Sequence, residues 1–238
     1  MNNMKVVILA GGKGTRLSQY TENIPKPMIK IGNVPMLTHI MRLYMFYGYK
    51  DFIIAGGYKI NVIRKYYKNS KEFKNLKIVD TGINALTGKR ISRLKKYLKE
   101  NENFFLTYGD GVSNINIRKL LKFHLKKKKI ATITAVRPPV KFGELIINKN
   151  SAVKSFLEKP QVSKSWINGG FFVLNRRVFN FIPHYNNMFE QRPLSQLTQK
   201  KQLIAFKHNG YWKCMDNLKE KNQLEDIYKK YKTVWKIN

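Results

Sequence analysis

The chain has 238 residues, 43% of them apolar, which allows one domain with a sizeable core, and no apolar run is long enough to span a membrane. A single cysteine, Cys214, excludes a framework of intramolecular disulfides and suits a reducing, cytoplasmic environment. The formal net charge of +32 is compatible with nucleic-acid binding, but its lysines are spread along the whole chain, which favours a compositional bias and no nucleic-acid partner.

Strand and helix patterns alternate through the first half of the chain. Runs of β-branched residues that end in glycine predict buried strands, and apolar residues at helical spacing predict helices between them. The predicted strands are 5–10, 52–55, 76–79, 104–108 and 130–136, and the predicted helices cover 35–47, 62–67, 91–98 and 117–124. This alternation predicts an α/β fold with a mostly parallel, Rossmann-like sheet and helices on both faces.

The alternation changes near Pro138-Pro139, where shorter predicted strands begin. Later elements are strands at 145–147, 153–156, 167–174, 203–206 and 211–213, and helices at 193–197 and 218–231. Before this change, the run Lys126–Lys129 is interpreted as a solvated helix end. With no repeat and no linker, we expect a single domain whose second half, residues 138–238, forms a small lobe on the sheet of residues 1–137.

A glycine-rich loop follows the first predicted strand, in the sequence Leu9-Ala10-Gly11-Gly12-Lys13-Gly14-Thr15-Arg16-Leu17. Glycines at this position let the backbone approach an anion closely, and their N–H groups can bind phosphate. The loop is not a Walker A motif, and Leu17 stands where the dinucleotide fingerprint requires Gly or Ala. An ordinary strand-to-loop turn is the simpler interpretation, but the glycines together with Thr15 and Arg16 favour phosphate binding.

Two further motifs carry charged side chains. Pro25-Lys26-Pro27-Met28 fixes the backbone around a lysine, although a surface lysine on a rigid turn is the simpler interpretation. Thr107-Tyr108-Gly109-Asp110-Gly111 ends a predicted strand, where the ligands of open α/β sheets gather. Its carboxylate suits a Mg²⁺ that also binds phosphates. A hairpin turn at Asp110-Gly111 is the alternative, and it is disfavoured because a helix pattern follows.

Three later stretches are weak signals when each is taken alone: 156–160, 166–172 and 211–216. The four histidines, His39, His124, His184 and His208, lie apart in helical or loop contexts. We interpret them as structural or surface residues, not as catalytic bases.

Taken in order and spacing, the motifs resemble those of the sugar-1-phosphate nucleotidyltransferase family, over about residues 5–235. The likeness is carried by 79–82, 86–90, 107–112, 142–143, 167–174 and 215–216, and the stretches 107–112 and 167–174 resemble the members that use CTP. The chain departs from that pattern between Tyr67 and Val79, where it has only a short link.

The resemblance implies a Mg²⁺-dependent transfer of a nucleotidyl group from CTP to a sugar 1-phosphate, α-D-glucose 1-phosphate being favoured, with release of pyrophosphate. The alternative is transfer from UTP, dTTP or GTP to another sugar 1-phosphate. An inactive sugar-nucleotide sensor is a further alternative, which the retention of Asp110 and Asp216 disfavours. The resemblance also implies a cytoplasmic homo-oligomer with no nucleic-acid and no membrane partner.

The resemblance assigns roles residue by residue. The nucleotide would be bound by Leu9, Ala10, Gly11, Gly12, Lys13, Gly14, Thr15, Arg16, Lys26, Thr87, Arg90 and Gly109. The sugar phosphate would be bound by Gly143, Glu158, Lys159, Asn168 and Gly169. Asp110 and Asp216 would hold Mg²⁺, and the catalytic set would be Arg16, Lys26, Asp110, Lys159 and Asp216.

The implied reaction needs little acid–base chemistry from the protein. A phosphate monoester has its second pKa near ~6, so the attacking group is already largely dianionic at neutral pH. The difficulty is the repulsion between this dianion and the triphosphate. The sequence therefore predicts catalysis by positioning and charge neutralisation, without a general base.

Overall fold

The computed structural model describes residues 4–137, 144–157 and 165–235. Gly143, Glu158 and Lys159, which the sequence assigns to the sugar phosphate, lie outside these ranges, as do Pro138 and Pro139. The strands are β1 (Lys5–Ala10), β2 (Lys30–Ile31), β3 (Val34–Pro35), β4 (Asp51–Gly56), β5 (Asn75–Asp80), β6 (Asn103–Tyr108), β7 (Gly111–Ser113), β8 (Ala131–Val136), β9 (Glu144–Ile147), β10 (Val153–Leu157), β11 (Ile167–Asn175), β12 (Leu203–His208) and β13 (Trp212–Cys214). The α-helices are α1 (Ser18–Thr21), α2 (Met36–Phe46), α3 (Ile60–Tyr67), α4 (Thr87–Ser92), α5 (Ile117–Lys127), α6 (Arg192–Gln199) and α7 (Leu218–Tyr231). Short 3-10 helices cover Thr15–Leu17, Lys26–Met28, Lys95–Tyr97 and Arg176–Phe181.

Seven strands form the central sheet, in the order β12-β8-β11-β6-β1-β4-β5. β1 is parallel to its neighbours β4 and β6, β4 is parallel to β5, and β12 is parallel to β8. β11 runs antiparallel to both β6 and β8. The predicted α/β fold with a mostly parallel sheet is therefore confirmed. Strands from both predicted halves of the chain, 1–137 and 138–238, share this one sheet.

Apolar layers cover both faces of the sheet, because successive side chains of a strand point to opposite faces. On one face, Val6 and Ile8 of β1 pack in a cluster that includes side chains of α2 and α5. On the other face, Val7 and Leu9 pack in a cluster that includes Ile91 of α4. β1 is thus held from both sides, which fixes the position of the loop that follows it.

One predicted helix has wrong bounds. The apolar spacing predicts a helix over 91–98, but α4 ends at Ser92 and a separate 3-10 helix covers Lys95–Tyr97. The side chains that gave the pattern, Ile91, Leu94 and Leu98, are all buried. Burial of one face accounts for the periodicity, and it does not require a continuous helix.

A short strand that the sequence analysis missed follows Asp110. β7 pairs antiparallel with β13, and Gly111 lies opposite Cys214. The Asp110-Gly111 step therefore leads into a strand, before the predicted helix α5. The pairing also brings the chain after β13 next to the chain after β6.

The lysine run 126–129 lies at the end of α5, as predicted. Lys126, Lys127 and Lys128 are exposed, and Lys128 closes the helix in the left-handed conformation, donating its backbone N–H to the carbonyl of His124. Among the helices formed by the described residues, none has both the length and the apolar character needed to cross a membrane.

Candidate active site

The site lies at the carboxyl edge of the sheet, where the loops after β1 and β6 meet. The backbone N–H of Gly109 donates to the carbonyl of Leu9 at 2.9 Å. A Cβ at position 109 would lie 2.9 Å from that carbonyl oxygen and 2.8 Å from Cγ of Pro27, so a larger residue does not fit. Adjacent parallel strands place their ends side by side, which is why two motifs far apart in sequence form one wall.

Two carboxylates converge on one ammonium group at this edge. Nζ of Lys26 lies 2.5 Å from Oδ2 of Asp110 and 2.6 Å from Oδ1 of Asp216. The remaining oxygen of Asp216 accepts from Nη1 of Arg16 at 3.2 Å. Four predicted catalytic residues, Arg16, Lys26, Asp110 and Asp216, are therefore linked to one another through direct contacts.

The pairing of β7 with β13 positions the second carboxylate. The backbone N–H of Met215 donates to the carbonyl of Asp110 at 2.9 Å. The backbone N–H of Asp216 donates to Oε2 of Glu220, in the first turn of α7, at 2.6 Å. These backbone hydrogen bonds fix the position of Asp216, and its carboxylate remains available to contact Lys26 and Arg16.

The charged centre shifts the pKa values of its members. Burial alone would lower the pKa of Lys26, but the charges of Asp110 and Asp216 and its hydrogen bonds to them outweigh burial and raise it. Burial would raise the pKa of Asp216, yet its contacts with Lys26 and Arg16 hold it below the usual value. Both groups are therefore charged at neutral pH.

Two cavities open beside these charges. The first has a volume of about 350 Å³ and the second about 220 Å³, and both are bordered by Tyr108 and Asp110. A larger depression of about 760 Å³, lined by residues such as Arg137, His208 and Trp212, includes none of the four charged residues in its lining. Because contact with the charged centre matters more here than size, we take the two smaller cavities as the candidate site.

The first cavity collects most of the residues that the sequence assigns to the nucleotide. Those in its lining are Leu9, Ala10, Gly11, Gly12, Gly14, Lys26, Thr87, Arg90 and Gly109. Lys13 and Thr15 instead line a separate depression beside Tyr58. Arg16 projects outward, with 77% of its side chain exposed, and reaches the site through Asp216.

Arg90 lines the first cavity, and its guanidinium already makes hydrogen bonds within the protein. Nη2 donates to the carbonyl of Gly11 at 2.7 Å, and Nη1 donates to the carbonyl of Gly82 and to Oγ1 of Thr81, both at 2.8 Å. A Cβ at Gly11 would lie 2.1 Å from Nη1 of Arg90, so the glycine makes room for the guanidinium. The structure gives Arg90 a scaffolding role, and its predicted contact with the nucleotide stays a prediction.

The second cavity contains two of the residues assigned to the sugar. Asn168 and Gly169 line it, together with Trp212. Nε1 of Trp212 donates to the carbonyl of Gly169 at 2.7 Å, and Nδ2 of Asn168 donates to the hydroxyl of Tyr108 at 3.0 Å. The two cavities are thus separated by Tyr108, which borders both.

The sequence analysis missed Tyr108 and Trp212, which line the cavities, and Glu190, which supports them from behind. The carboxylate of Glu190 accepts from the hydroxyl of Tyr108 at 2.6 Å and from the hydroxyl of Thr87 at 2.5 Å. Glu190 lies in a turn just before α6, in a stretch with no periodic pattern. The sequence offered one weak signal for Glu190, namely that acidic residues are rare in this chain, with 14 against 46 basic ones.

The donor set fits a divalent cation. Asp110 and Asp216 offer oxygen ligands, which Mg²⁺ prefers, and their convergence on Lys26 demonstrates that they can share one cation. Cys214, Asp216 and Glu220 also approach one another, with ligand atoms within 4.8 Å. Burial and the neighbouring carboxylates raise the pKa of Cys214 to about 12. A sulfur ligand also suits softer metals than Mg²⁺, so this second group is the poorer candidate for a Mg²⁺ site.

Comparison with known proteins agrees with this geometry. The nucleotidyl transferase family model matches residues 5–220. Glucose-1-phosphate cytidylyltransferase of Salmonella typhimurium is 44% identical, over 98% of this chain and 99% of that protein. The probable glucose-1-phosphate cytidylyltransferase of Bacillus subtilis is 38% identical, over 98% of this chain and all (100%) of that protein. The crystal structure of HddC from Yersinia pseudotuberculosis shares the fold, with a TM-score of 0.73 and 24% identity over 94% of this chain and 99% of that one. On the evidence of its sheet, its charged centre and these likenesses, the chain belongs to the nucleotidyl transferase family.

Proposed function

We propose that this protein transfers the cytidylyl group of CTP to α-D-glucose 1-phosphate, producing CDP-glucose and pyrophosphate. The observation that carries the proposal is the cluster of Lys26, Asp110, Asp216 and Arg16 beside the two cavities, with Asp110 in the lining of both. The choice of substrates is supported by two relatives, 44% and 38% identical over nearly their whole length, that bear the name glucose-1-phosphate cytidylyltransferase.

In this proposal the phosphate oxygen of the sugar 1-phosphate attacks the α-phosphorus of CTP directly. The bond from the α-phosphorus to the bridging oxygen breaks, and pyrophosphate leaves. The glycine loop offers backbone N–H groups to the triphosphate, while Arg16 and Lys26 reduce the repulsion between the two anions. Asn168 and Gly169 border the cavity for the hexose.

We propose that Asp110 and Asp216 hold Mg²⁺ when the substrates bind. Bound there, the ion would neutralise negative charge on the triphosphate and help to orient it. The ammonium of Lys26 would then be released from the carboxylates and become available to the phosphates. The roles of Lys159 and Glu158 at the sugar phosphate rest on the resemblance alone.

We also propose that the protein is a homo-oligomer in the cytoplasm. β9 and β10 form a separate two-stranded sheet, and Leu145, Ile147, Val153 and Phe156 on it are each more than half exposed. Exposed apolar patches mark surfaces that bind a partner, and the partner we propose for this one is a second copy of the chain. Light scattering coupled to gel filtration tests it: Ile147→Lys should shift the protein toward monomer, and a monomeric parent protein would contradict it.

The activity is tested by a grid of five nucleoside triphosphates (CTP, UTP, dTTP, GTP and ATP) against several sugar 1-phosphates, scored by pyrophosphate release. We expect the highest kcat/KM for CTP with α-D-glucose 1-phosphate, and loss of turnover when EDTA removes divalent cations. Asp110→Asn, which keeps the size of the side chain, should lower kcat by at least about a hundredfold. A clear preference for another nucleotide or sugar would overturn the choice of substrates, and no turnover with any pair would overturn the activity.

A further inference from the structure

Glu190 joins the walls of the two cavities through a chain of hydrogen bonds. Its Oε2 accepts from the hydroxyl of Thr87, which is the first residue of α4 and lines the nucleotide cavity. Its Oε1 accepts from the hydroxyl of Tyr108, which borders both cavities. Tyr108 in turn accepts from Nδ2 of Asn168, in the second cavity.

The direction of each hydrogen bond in this chain is fixed by chemistry. A carboxylate can only accept, so both hydroxyl hydrogens point at Glu190. The oxygen of Tyr108 is therefore left to accept from Asn168. The backbone N–H of Gly170 donates to Oδ1 of Asn168 at 2.8 Å, so both ends of the amide are set. Nδ2 has a second N–H, and because Asn168 lines the second cavity, we expect this N–H to be available to a ligand there.

The hydrogen bonds on the nucleotide side also have a fixed direction. Because the hydroxyl hydrogen of Thr87 points at Glu190, its oxygen can accept from the backbone N–H of Phe189 at 2.9 Å. Next to it, the backbone N–H of Gly88 donates to the carbonyl of Asn187 at 3.0 Å. The turn that carries Glu190 thereby holds the start of α4 against the first cavity.

We propose that Glu190 is a positioning residue that sets the geometry of both substrate cavities at once, through Thr87 on the nucleotide side and through Tyr108 and Asn168 on the sugar side. The inference rests on the proposed function, because it assigns CTP to the first cavity and glucose 1-phosphate to the second. Glu190 itself borders neither cavity in the structure, so it acts through its partners.

The test uses the steady-state kinetics of the full-length protein with both substrates. Glu190→Met keeps the length of the side chain but accepts neither hydroxyl, and we expect it to raise the KM values for CTP and for glucose 1-phosphate by about five- to tenfold each, with a smaller change in kcat. Tyr108→Phe should raise only the KM for glucose 1-phosphate. Thr87→Val should raise only the KM for CTP.

Glu190→Gln provides the rescue variant. Its single carbonyl oxygen can accept one hydroxyl, while its amide group opposes the other. We therefore expect at least one of its two KM values to lie closer to that of the parent protein than the value for Glu190→Met. In the double variant Glu190→Met/Tyr108→Phe, the KM for glucose 1-phosphate should not exceed that of Tyr108→Phe alone, because both changes break the same connection.

Glu100→Met is the matched control, since it removes the same charge from a side chain that is 89% exposed and should leave both KM values unchanged. The positioning role is overturned if Glu190→Met keeps both KM values within twofold of the parent, or lowers only kcat together with the urea midpoint, as a purely structural residue would. If the parent protein makes no CDP-glucose, the proposed function fails first, and this inference falls with it.

Discussion

At the scale of single residues, the notable feature is a lysine that serves as counter-ion to two carboxylates. Only 13% of the Lys26 side chain is exposed, and its contacts with Asp110 and Asp216 are short. Two carboxylates held this close would repel each other without a cation. The protein therefore supplies its own cation at the place where we propose that Mg²⁺ binds, and the two cations compete.

This competition predicts the effect of removing the lysine. Lys26→Ala should bind Mn²⁺ at least about tenfold more tightly than the parent protein in the absence of nucleotide, equivalent to about 1.4 kcal/mol, because the carboxylates lose their internal partner. Its turnover should fall, because Lys26 is no longer available to the phosphates. Electron paramagnetic resonance of free Mn²⁺ measures the binding directly.

Lys30→Ala, which removes an exposed lysine from the neighbouring strand β2, is the control and should bind Mn²⁺ as the parent does. Unchanged or weaker Mn²⁺ binding by Lys26→Ala would contradict the competition between the two cations.

Sequence patterns predicted the charged centre better than the connections behind it. Asp110 and Lys26 could be chosen because glycines flank the first and prolines the second, and such local signals can be read from adjacent residues in the sequence. Glu190 has no such signal, since its role depends on hydroxyls at positions 87 and 108 that are remote in sequence. The scaffolding contacts of Arg90 were not predicted for the same reason: its backbone acceptors are the carbonyls of Gly11, Gly56 and Gly82, at or just after the ends of three different strands.

At the scale of elements, the loop after β1 shows which glycines the fold requires. Gly14 has a φ of +65°, and a Cβ there would lie 2.9 Å from Cβ of Lys26. A Cβ at Gly12 would have no heavy atom within 4 Å, and the φ of Gly12 is not positive. The fold therefore requires a glycine at position 14, because of its backbone conformation, but leaves room for a side chain at position 12.

The same substitution at these two positions should give opposite results. Gly14→Ala should lower the free energy of unfolding by about 1–3 kcal/mol, since alanine is strained in the left-handed region and crowds Lys26. Gly12→Ala should change stability by less than about 1 kcal/mol, in the stabilising direction, because it restricts the unfolded chain. Urea denaturation of the two variants measures both, and equal losses would refute this account of the loop.

Elements with a strong local signal at both ends were predicted with their correct bounds, and elements without such signals were not. β1 and α7 have the predicted bounds, because each begins and ends where a strong local signal changes. β7 was missed because a strand of three residues carries almost no pattern, and its partner β13 lies about a hundred residues away in the sequence. The helix predicted over 91–98 was wrong because long-range contacts, such as those of Asn187 with the start of α4, set its true beginning.

At the scale of the whole molecule, net charge and buried histidines set the response to solvent. The net charge of +32 on 238 residues destabilises the folded state, because folding brings the positively charged side chains closer together and increases their repulsion. Burial lowers the pKa of His124 to about 4, and it also lowers the pKa values of His39 and His208. These three histidines make structural hydrogen bonds, which agrees with the interpretation of the sequence.

Salt should stabilise the protein. Screening weakens the repulsion among the lysines, so the Tm should rise by at least about 2 °C between about 20 mM and about 200 mM NaCl, since 1 kcal/mol corresponds to about 2–4 °C for a chain of this length. Differential scanning calorimetry measures the shift. Sucrose at the same osmolality is the non-ionic comparison, and a Tm that falls with NaCl would argue against net repulsion.

Acid should destabilise the protein before its carboxylates titrate. A histidine with an unfolded pKa of about 6.5 and a folded pKa of about 4 binds a proton more readily when unfolded, so stability falls as the pH drops through this window. For His124 the loss between pH 7 and pH 5 is about 2 kcal/mol. His124→Gln should remove that part of the pH dependence in urea denaturation, while His184→Gln, at an exposed position, should not. Identical slopes for the two variants would show that His124 is not the group responsible.

The reversed direction of β11 has a consequence for how substrate preference can change. Because β11 is antiparallel to β6, its first residues, and not its last, reach the catalytic edge. Under the proposed function, the sugar 1-phosphate side of the site is therefore formed by residues at the start of β11, whereas the CTP side is formed by residues that follow β1 and β6. A recombinant that takes its residues 137–169 from a relative with another sugar should retain its affinity for CTP while changing its acceptor, and lost CTP affinity would show that the two sides are not separable.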